Sequence, residues 1–180
     1  MFLSRVLLLT TAAFPLLCQA EVKEVGDNGF AISHTVNTPA SPEQSWAMMM
    51  GHIDSWWEAA HTWSGDSKNL YITAEPGGCF CERLPAPEGS RAGGVEHLRI
   101  IYLNPPHEVR FDGSLGPLQS MTLQGRMIWT VAAVEGGSAI SFTYRVHGAM
   151  EGGFAGLASG VDEVIGLQLK HLAERLAKAD

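Results

Sequence analysis

The sequence predicts an α+β domain in which a curved antiparallel sheet of about six or seven strands wraps around a long C-terminal helix. Three observations support this: two short helices follow a first strand, several short strands are separated by turn residues, and the chain ends in an amphipathic helix. A half-buried sheet and an amphipathic helix each need a partner surface, so they should cover one another. An apolar cavity is expected between them.

Residues 1–20 are predicted to be a cleaved signal peptide rather than part of the fold. Arg5 precedes an apolar stretch from Val6 to Leu17, and the small residue Ala20 stands before Glu21. The stretch of about a dozen residues is shorter than the roughly 20 that a transmembrane helix needs. A lipid anchor at Cys18 is the alternative. Residues 21–180 then form a single domain, and the protein is expected to be periplasmic or secreted.

The charge of the chain excludes some classes of partner. Lys and Arg number 12 against 19 Asp and Glu, which gives a formal net charge of −7. Phosphate contacts require clustered basic side chains, and the chain has no such cluster. Nucleic acid is therefore not expected as a partner, and anionic lipid surfaces are equally unsuitable.

Turn and capping signals divide the chain into elements. Ser41 and Pro42 predict the start of a first helix, and a second short helix is expected at about Ile53–Ala60. Gly77 and Gly78 predict a turn with at least one residue at positive φ. The predicted strands are Phe30–Asn37, Leu70–Thr73, Gly78–Arg83, Val95–Asn104, Glu108–Asp112, Thr122–Val134 and Ala139–His147.

The last segment has helical periodicity. From Leu157 onward, apolar residues recur at spacings of three and four, which predicts an amphipathic helix of about twenty residues. Gly152, Gly153, Gly156 and Gly160 lie near its start. They could let the helix approach the sheet closely, loosen a cavity mouth, or simply form a frayed entry to the helix, and the sequence leaves these possibilities open.

The order of elements resembles the SRPBCC superfamily, which includes START lipid-transfer domains, polyketide cyclases and pollen-allergen-like proteins. The matching motifs are Thr38–Trp46 (TPASPEQSW), the tryptophan-rich second helix, Pro76–Glu82 (PGGCFCE) and Asn104–Phe111 (NPPHEVRF). The resemblance spans nearly all of residues 30–178. It implies a helix-grip fold and a cavity for lipids, hydroxylated polycycles or other apolar molecules, but it implies no single reaction.

Candidates for acid–base chemistry are few. His97, Glu82 and Arg145 lie on predicted strands and are the catalytic candidates if they project inward. Glu58 and His61 have a Glu-x-x-His spacing, but a di-iron site needs two such pairs and further carboxylates. No metal site is expected. No cofactor is expected either, because phosphate-loop and dinucleotide motifs are lacking.

Cys79 and Cys81 form a Cys-x-Cys pair on a predicted strand. Alternate residues of an extended strand have Cα atoms about 6.6 Å apart, from a rise of roughly 3.3 Å per residue. This distance is at the upper limit for a disulfide, and the two side chains run parallel. The sequence therefore predicts two reduced, partly buried thiols.

Aromatic and apolar side chains from nearly every element are the predicted lining of the cavity. They are Trp56, Trp57, Trp63, Phe80, Tyr102, Phe111, Trp129, Phe142, Tyr144, Phe154, Leu157 and Val161. The predicted polar anchors for a ligand are Arg99 and Arg126, together with Arg145, Glu82 and His97. Pairing of these charged residues at the rim or on the outer face is the alternative.

The sequence favours a secreted carrier that binds an apolar small molecule, such as a lipid or a polycyclic compound, over an enzyme. A cyclase, dehydratase or hydrolase is the first alternative, with an inward His or Glu as acid–base group and arginine stabilising a developing enolate. A protein-binding, chaperone-like module is the second, and its expected feature is an exposed apolar patch.

Overall fold

The computed structural model describes residues 19–178, with side chains described from residue 24 onward. Eight strands form one antiparallel sheet, in the order β1-β2-β8-β7-β6-β5-β4-β3. They are Gln19–Gly26 (β1), Gly29–Thr38 (β2), Leu70–Ile72 (β3), Cys79–Leu84 (β4), Gly93–Asn104 (β5), Glu108–Asp112 (β6), Gln124–Val134 (β7) and Gly137–His147 (β8). The sheet is curved and unclosed, and the predicted helix-grip architecture is confirmed.

Three α-helices complete the fold: Pro42–Gly51 (α1), Ile53–Trp56 (α2) and Ala155–Leu176 (α3). Ser41 caps α1 as predicted: its side chain accepts a hydrogen bond from the Gln44 N–H, and the Gln44 side chain accepts from the Ser41 N–H. The second helix is shorter than predicted. It ends at Trp56, and a separate 3-10 turn follows at Ala59–His61.

One core fills the space between the concave sheet and the helices. Its centre is aromatic, with the Trp129 ring stacked on Phe142 at a centroid distance of 4.5 Å and against Phe111 at 4.8 Å. The stripe of α3 that contains Ile165, Leu169 and Leu172 is buried against this core. Burial of the stripe holds α3 across the sheet, as its periodicity predicts.

Strand β1 was not among the predicted strands. It pairs with β2, and its first two residues, Gln19 and Ala20, fall within the predicted signal peptide. Its residues with described burial, Glu24, Val25 and Gly26, are exposed, so this end of the strand shows no alternation of buried and exposed residues. The rest of the predicted signal peptide lies outside the described residues.

The Gly77-Gly78 turn is present as predicted. Gly77 has a φ of +84°, a conformation that costs glycine little. The turn leads into β4, which forms a hairpin with β5. Among the described residues, no helix is long and apolar enough to cross a membrane.

The prediction of two reduced thiols is wrong, because Cys79 and Cys81 form a disulfide. Their Cα atoms are 5.4 Å apart rather than the separation expected for a regular strand. A β-bulge lies opposite this pair: Phe80 pairs with Leu98 and Cys81 with Glu96, so His97 on β5 has no residue opposite. A bulge increases local twist, and a regular extended geometry does not apply at this point.

Candidate functional site

A cavity of about 470 Å³ lies between the first half of α3 and one end of the sheet. Its walls come from the segment after α2, from β5, from the loop before β7 and from α3. The lining residues are Trp57, Ala60, His61, Thr62, Trp63, His97, Leu115, Gly116, Pro117, Leu118, Gly156, Leu157, Gly160, Val161, Val164 and Ile165. This set contains no Asp, Glu, Lys or Arg side chain. The cavity volume is in the range typical of small-molecule sites, about 300–1,000 Å³.

The segment after α2 is held on the cavity by Gln168 of α3. The Gln168 carbonyl oxygen accepts a hydrogen bond from the Glu58 N–H at 2.7 Å, and its amide nitrogen lies 2.8 Å from His61 Nδ1. Gln168 itself is fully buried, and the two hydrogen bonds are partly buried. Glu58 and His61 therefore do not share a helix face, and their Glu-x-x-His spacing marks a tethered turn.

The loop before β7 is held by the phenol of Tyr144. Its hydroxyl donates to the Gly113 carbonyl at 3.1 Å and accepts from the Leu115 N–H at 3.0 Å. Burial raises the pKa of Tyr144 to about 12, so the hydroxyl keeps its proton and can serve both partners. Leu115 and Leu118 are thereby positioned on the cavity wall.

His97 points into the cavity because of the bulge in β5. His97 and Leu98 are consecutive, and both are buried. Two neighbouring residues of a regular strand would face opposite sides of the sheet. The extra residue at the bulge changes this alternation, which is a common way for a sheet to re-aim a side chain.

His97 is fixed by a buried carboxylate. Its Nε2 lies 3.0 Å from Glu82 Oε2 on the neighbouring strand β4. Glu82 also accepts from the backbone N–H of Trp63 at 3.0 Å and of Ser64 at 2.5 Å. Only 1% of Glu82 and 5% of His97 is exposed, so the pair is shielded from water.

The electrostatics of this pair keep His97 neutral and Glu82 ionised. Burial alone would raise the pKa of Glu82, but the hydrogen bonds from Ser64, Trp63 and His97 outweigh it and lower the pKa below its ordinary value. Burial lowers the pKa of His97, against the opposing effect of Glu82. A carboxylate can only accept, so Nε2 of the neutral imidazole carries the hydrogen.

The second nitrogen of His97 is free to accept a hydrogen bond. Among the described residues, the fully buried polar side-chain atoms without a partner are His34 Nδ1 and Trp129 Nε1. Nδ1 of His97 is not one of these and has no described hydrogen-bond partner, so it is open to the cavity that the residue lines. It is an acceptor, since the hydrogen is on Nε2.

The structure brings only part of the predicted cavity lining together. Trp57, Trp63, Leu157 and Val161 lie on the wall, with Trp63 at the rim and 55% exposed. A second group is packed in the core and does not line the cavity: Trp56, Phe80, Phe111, Trp129, Phe142, Tyr144 and Phe154. Tyr102 lies on the outer face, where the Arg110 guanidinium covers its ring at 4.4 Å. The prediction that all twelve line the cavity is wrong.

The predicted polar anchors also divide into two groups. His97 lines the cavity and Glu82 lies directly behind it. Arg99, Arg126 and Arg145 are exposed on the outer face, where they pair with Glu96, Asp112 and Glu24 at 2.7, 3.0 and 4.0 Å. The prediction that these arginines project inward is wrong, because their strand neighbours fill the inner face.

Sequence reasoning missed the loop that carries Leu115 and Leu118. No element was predicted between β6 and β7, and its 3-10 helix, Gly116–Met121, has no periodic signal. Gly156 and Gly160 line the cavity, which favours a place at its mouth among the roles left open for them. Among the described residues, no cluster of three or more His, Cys, Asp or Glu side chains could hold a metal ion.

Comparisons with known proteins show the fold alone. No family model and no curated protein matches the chain. A protein of Rhodobacter sphaeroides is 20% identical, with a TM-score of 0.56 over 90% of this chain and 100% of that one. CalU16 of Micromonospora echinospora is 11% identical, with a TM-score of 0.54 over 93% of each chain. The Aha1 dimer of Colwellia psychrerythraea is 15% identical, with a TM-score of 0.54 over 82% and 96%.

Proposed function

We propose that this protein is a binding or carrier protein for an apolar small molecule, held in the cavity between α3 and the sheet. The observation that supports this is the cavity itself, of about 470 Å³, with walls formed mainly by Leu, Val, Ile and Trp side chains. Removal of an apolar ligand from water into such a cavity is favourable at about 25 cal/mol for each Å² of surface buried. Similarity to helix-grip structures is consistent with this role but does not identify it.

The proposal includes a periplasmic or secreted location. The N-terminal sequence supports it, because a charged residue, an apolar stretch and a small residue stand in the order of a signal peptide. The Cys79–Cys81 disulfide supports it independently, since disulfides persist mainly in oxidising compartments. A carrier in that location would move apolar molecules through water.

The test is uptake of the neutral fluorescent probe N-phenyl-1-naphthylamine by the parent protein and by Val161→Trp. Val161 lies on the cavity wall, so the larger ring should occupy the cavity and weaken probe binding at least tenfold. Because the cavity accepts the added volume, the free energy of unfolding should change by less than about 1 kcal/mol.

Leu169→Trp is the matched control on the same helix. Leu169 is fully buried in the core and does not line the cavity. A larger side chain there overpacks the core and should cost about 1–3 kcal/mol while leaving probe affinity nearly unchanged. A parent protein that binds no probe, with Val161→Trp as destabilising as Leu169→Trp, would contradict the carrier proposal.

Acid–base catalysis in the same cavity is a second candidate function. The supporting observation is the neutral His97 imidazole, oriented by Glu82 and open to the cavity at Nδ1. Such a nitrogen can take a proton from a bound molecule. The arginines expected to stabilise a developing enolate lie outside the cavity, which favours the carrier. Release of 1-naphthol from 1-naphthyl acetate, lost in His97→Phe, would favour the enzyme.

A further inference from the structure

We infer that the cavity selects uncharged apolar ligands that carry one hydroxyl or N–H group, and that His97 Nδ1 accepts the hydrogen bond from this group. The inference rests on the proposed carrier function and adds the chemical class of the ligand. Three features of the site support it: the orientation of His97, the occupied state of the neighbouring polar groups, and the sign of the charge behind the wall.

The orientation of His97 is set by groups that the ligand does not touch. Glu82 holds Nε2, and the N–H groups of Trp63 and Ser64 hold Glu82. The Phe80 ring covers the imidazole at a centroid distance of 4.8 Å. The ring is thus held on one edge and on one face, and the edge with Nδ1 remains for a ligand. An acceptor prepared in this way loses little entropy on binding.

Two other polar side chains on the wall already have hydrogen-bond partners. His61 Nδ1 is paired with the Gln168 amide at 2.8 Å, and the Thr62 hydroxyl donates to the Ala59 carbonyl at 2.8 Å. A ligand that buries a hydroxyl or N–H in this apolar space therefore has an acceptor in His97. Without that acceptor, burial of the donor would carry an uncompensated desolvation cost.

An acidic ligand is disfavoured for two reasons. Within the described residues, no Arg or Lys side chain lines the cavity, since Arg99, Arg126 and Arg145 are on the outer face. A negative charge lies directly behind the wall at the Glu82 carboxylate, and it repels an anion. Fatty acids and other carboxylates should therefore bind less well than alcohols, phenols or amides of the same size.

The test compares three probes of nearly equal shape by calorimetry at pH 7.5: 1-naphthol, 1-methylnaphthalene and 1-naphthoate. The parent protein should bind 1-naphthol about five- to tenfold more tightly than 1-methylnaphthalene, which is the usual effect of one hydrogen bond. It should bind 1-naphthoate more weakly than either. His97→Phe keeps an aromatic ring against Phe80 and should equalise the affinities for 1-naphthol and 1-methylnaphthalene.

His147→Phe is the matched control, because it removes an exposed histidine that does not line the cavity. Its preference for 1-naphthol should equal that of the parent.

A measurement on the parent alone covers the case in which His97→Phe does not fold. In ¹⁵N spectra, the His97 Nδ1 resonance should shift on addition of 1-naphthol and stay in place on addition of 1-methylnaphthalene.

The outcomes separate the inference from the carrier function. If no probe binds the parent protein, the carrier function fails and the inference fails with it. If 1-naphthol and 1-methylnaphthalene bind equally well, the cavity stands and recognition by His97 is wrong. Tighter binding of 1-naphthoate than of 1-naphthol would also overturn the inference, because it would require a cationic group at the cavity.

Discussion

Two buried histidines of this protein make the same bond in different surroundings. His34 Nε2 lies 2.8 Å from Asp162 Oδ1, and His97 Nε2 lies 3.0 Å from Glu82 Oε2. Both imidazoles are at least 95% buried. At His34 the second nitrogen is sealed inside the protein without a partner, whereas at His97 it is open to the cavity.

The difference comes from what covers each ring. Gly166 of α3 lies directly over His34: a Cβ at Gly166 would come within 2.7 Å of His34 Cε1 and 3.0 Å of Nδ1. His34 therefore fills the interface between β2 and α3. His97 is instead covered on one face by the Phe80 ring, and it borders the cavity together with Gly156 and Gly160 of α3. The same bond thus fixes the packing in one place and prepares a binding group in the other.

The largest expected effect is at the sealed pair. His34→Ala should lower the free energy of unfolding by about 2–4 kcal/mol, because it leaves a cavity under α3 and removes the partner of Asp162. The preference for 1-naphthol over 1-methylnaphthalene should not change in the folded variant. Urea denaturation and calorimetry measure the two quantities.

His97→Ala is the comparison variant, and its effects should be reversed. The side chain already borders empty space, and Glu82 keeps two backbone donors. Its stability should fall by less than that of His34→Ala, while the preference for 1-naphthol is lost. A greater loss of stability at residue 97 than at residue 34 would show that the two pairs have been assigned the wrong roles.

A smaller effect tests the cover over His34. Gly166→Ala should cost about 1–3 kcal/mol in the parent, because the new methyl group meets the His34 ring. In the His34→Ala background the same change should stabilise by up to about 1 kcal/mol, since alanine is the better helix former and the space is open. A double-mutant cycle by urea denaturation measures the change of sign. Equal effects in both backgrounds would mean that Gly166 does not contact His34.

Much of the fold could be predicted from the sequence, because its signals are local. The Ser41 cap, the Gly77 turn and the stripe on α3 each depend on residues close in the chain, and each is present. β1 was missed, and its end at residues 24–26 is exposed, with no alternation of buried and exposed residues. Secretion and ligand binding stay predictions.

The candidate site was predicted less completely, because its geometry depends on strand register. In a regular strand, Arg99 would share a face with His97, two residues earlier, and would point inward. The bulge instead makes Leu98 face inward and turns Arg99 outward. The Cys79–Cys81 disulfide lies opposite the same bulge, where β4 is not regularly extended. The one-residue irregularity in β5 thus accounts for the wrong anchor, and no local pattern in the sequence predicts it.

The stability of the fold should depend on pH through His97 and Glu82, whereas ligand binding should depend on pH through His97 alone. The pKa of His97 is lowered by burial, so below the ordinary histidine value of about 6.5 the unfolded chain takes up a proton that the folded protein resists. Stability should therefore fall with pH from about 6.5 down to the lowered pKa, by at most about 1.4 kcal/mol per pH unit from this group. The pKa of Glu82 is also lowered. Its carboxylate therefore stabilises the fold at pH values above the ordinary glutamate pKa of about 4.3. This contribution is lost as the pH falls through the lowered pKa of Glu82. In His97→Phe the first part of this decline should be absent in urea denaturation.

The affinity for 1-naphthol should decline at the pH where folded His97 takes up its proton. Nδ1 is the nitrogen that receives the proton, and a protonated Nδ1 cannot accept a hydrogen bond. The affinity for 1-methylnaphthalene, which makes no such bond, should stay nearly constant over the same range and serves as the control. Parallel pH profiles for the two probes would show that His97 is not the group that distinguishes them, even if its removal alters stability. Profiles that diverge in the parent and become parallel in His97→Phe would assign the distinction to the His97 imidazole. The replacement keeps an aromatic ring at this position but has no nitrogen that could accept a hydrogen bond.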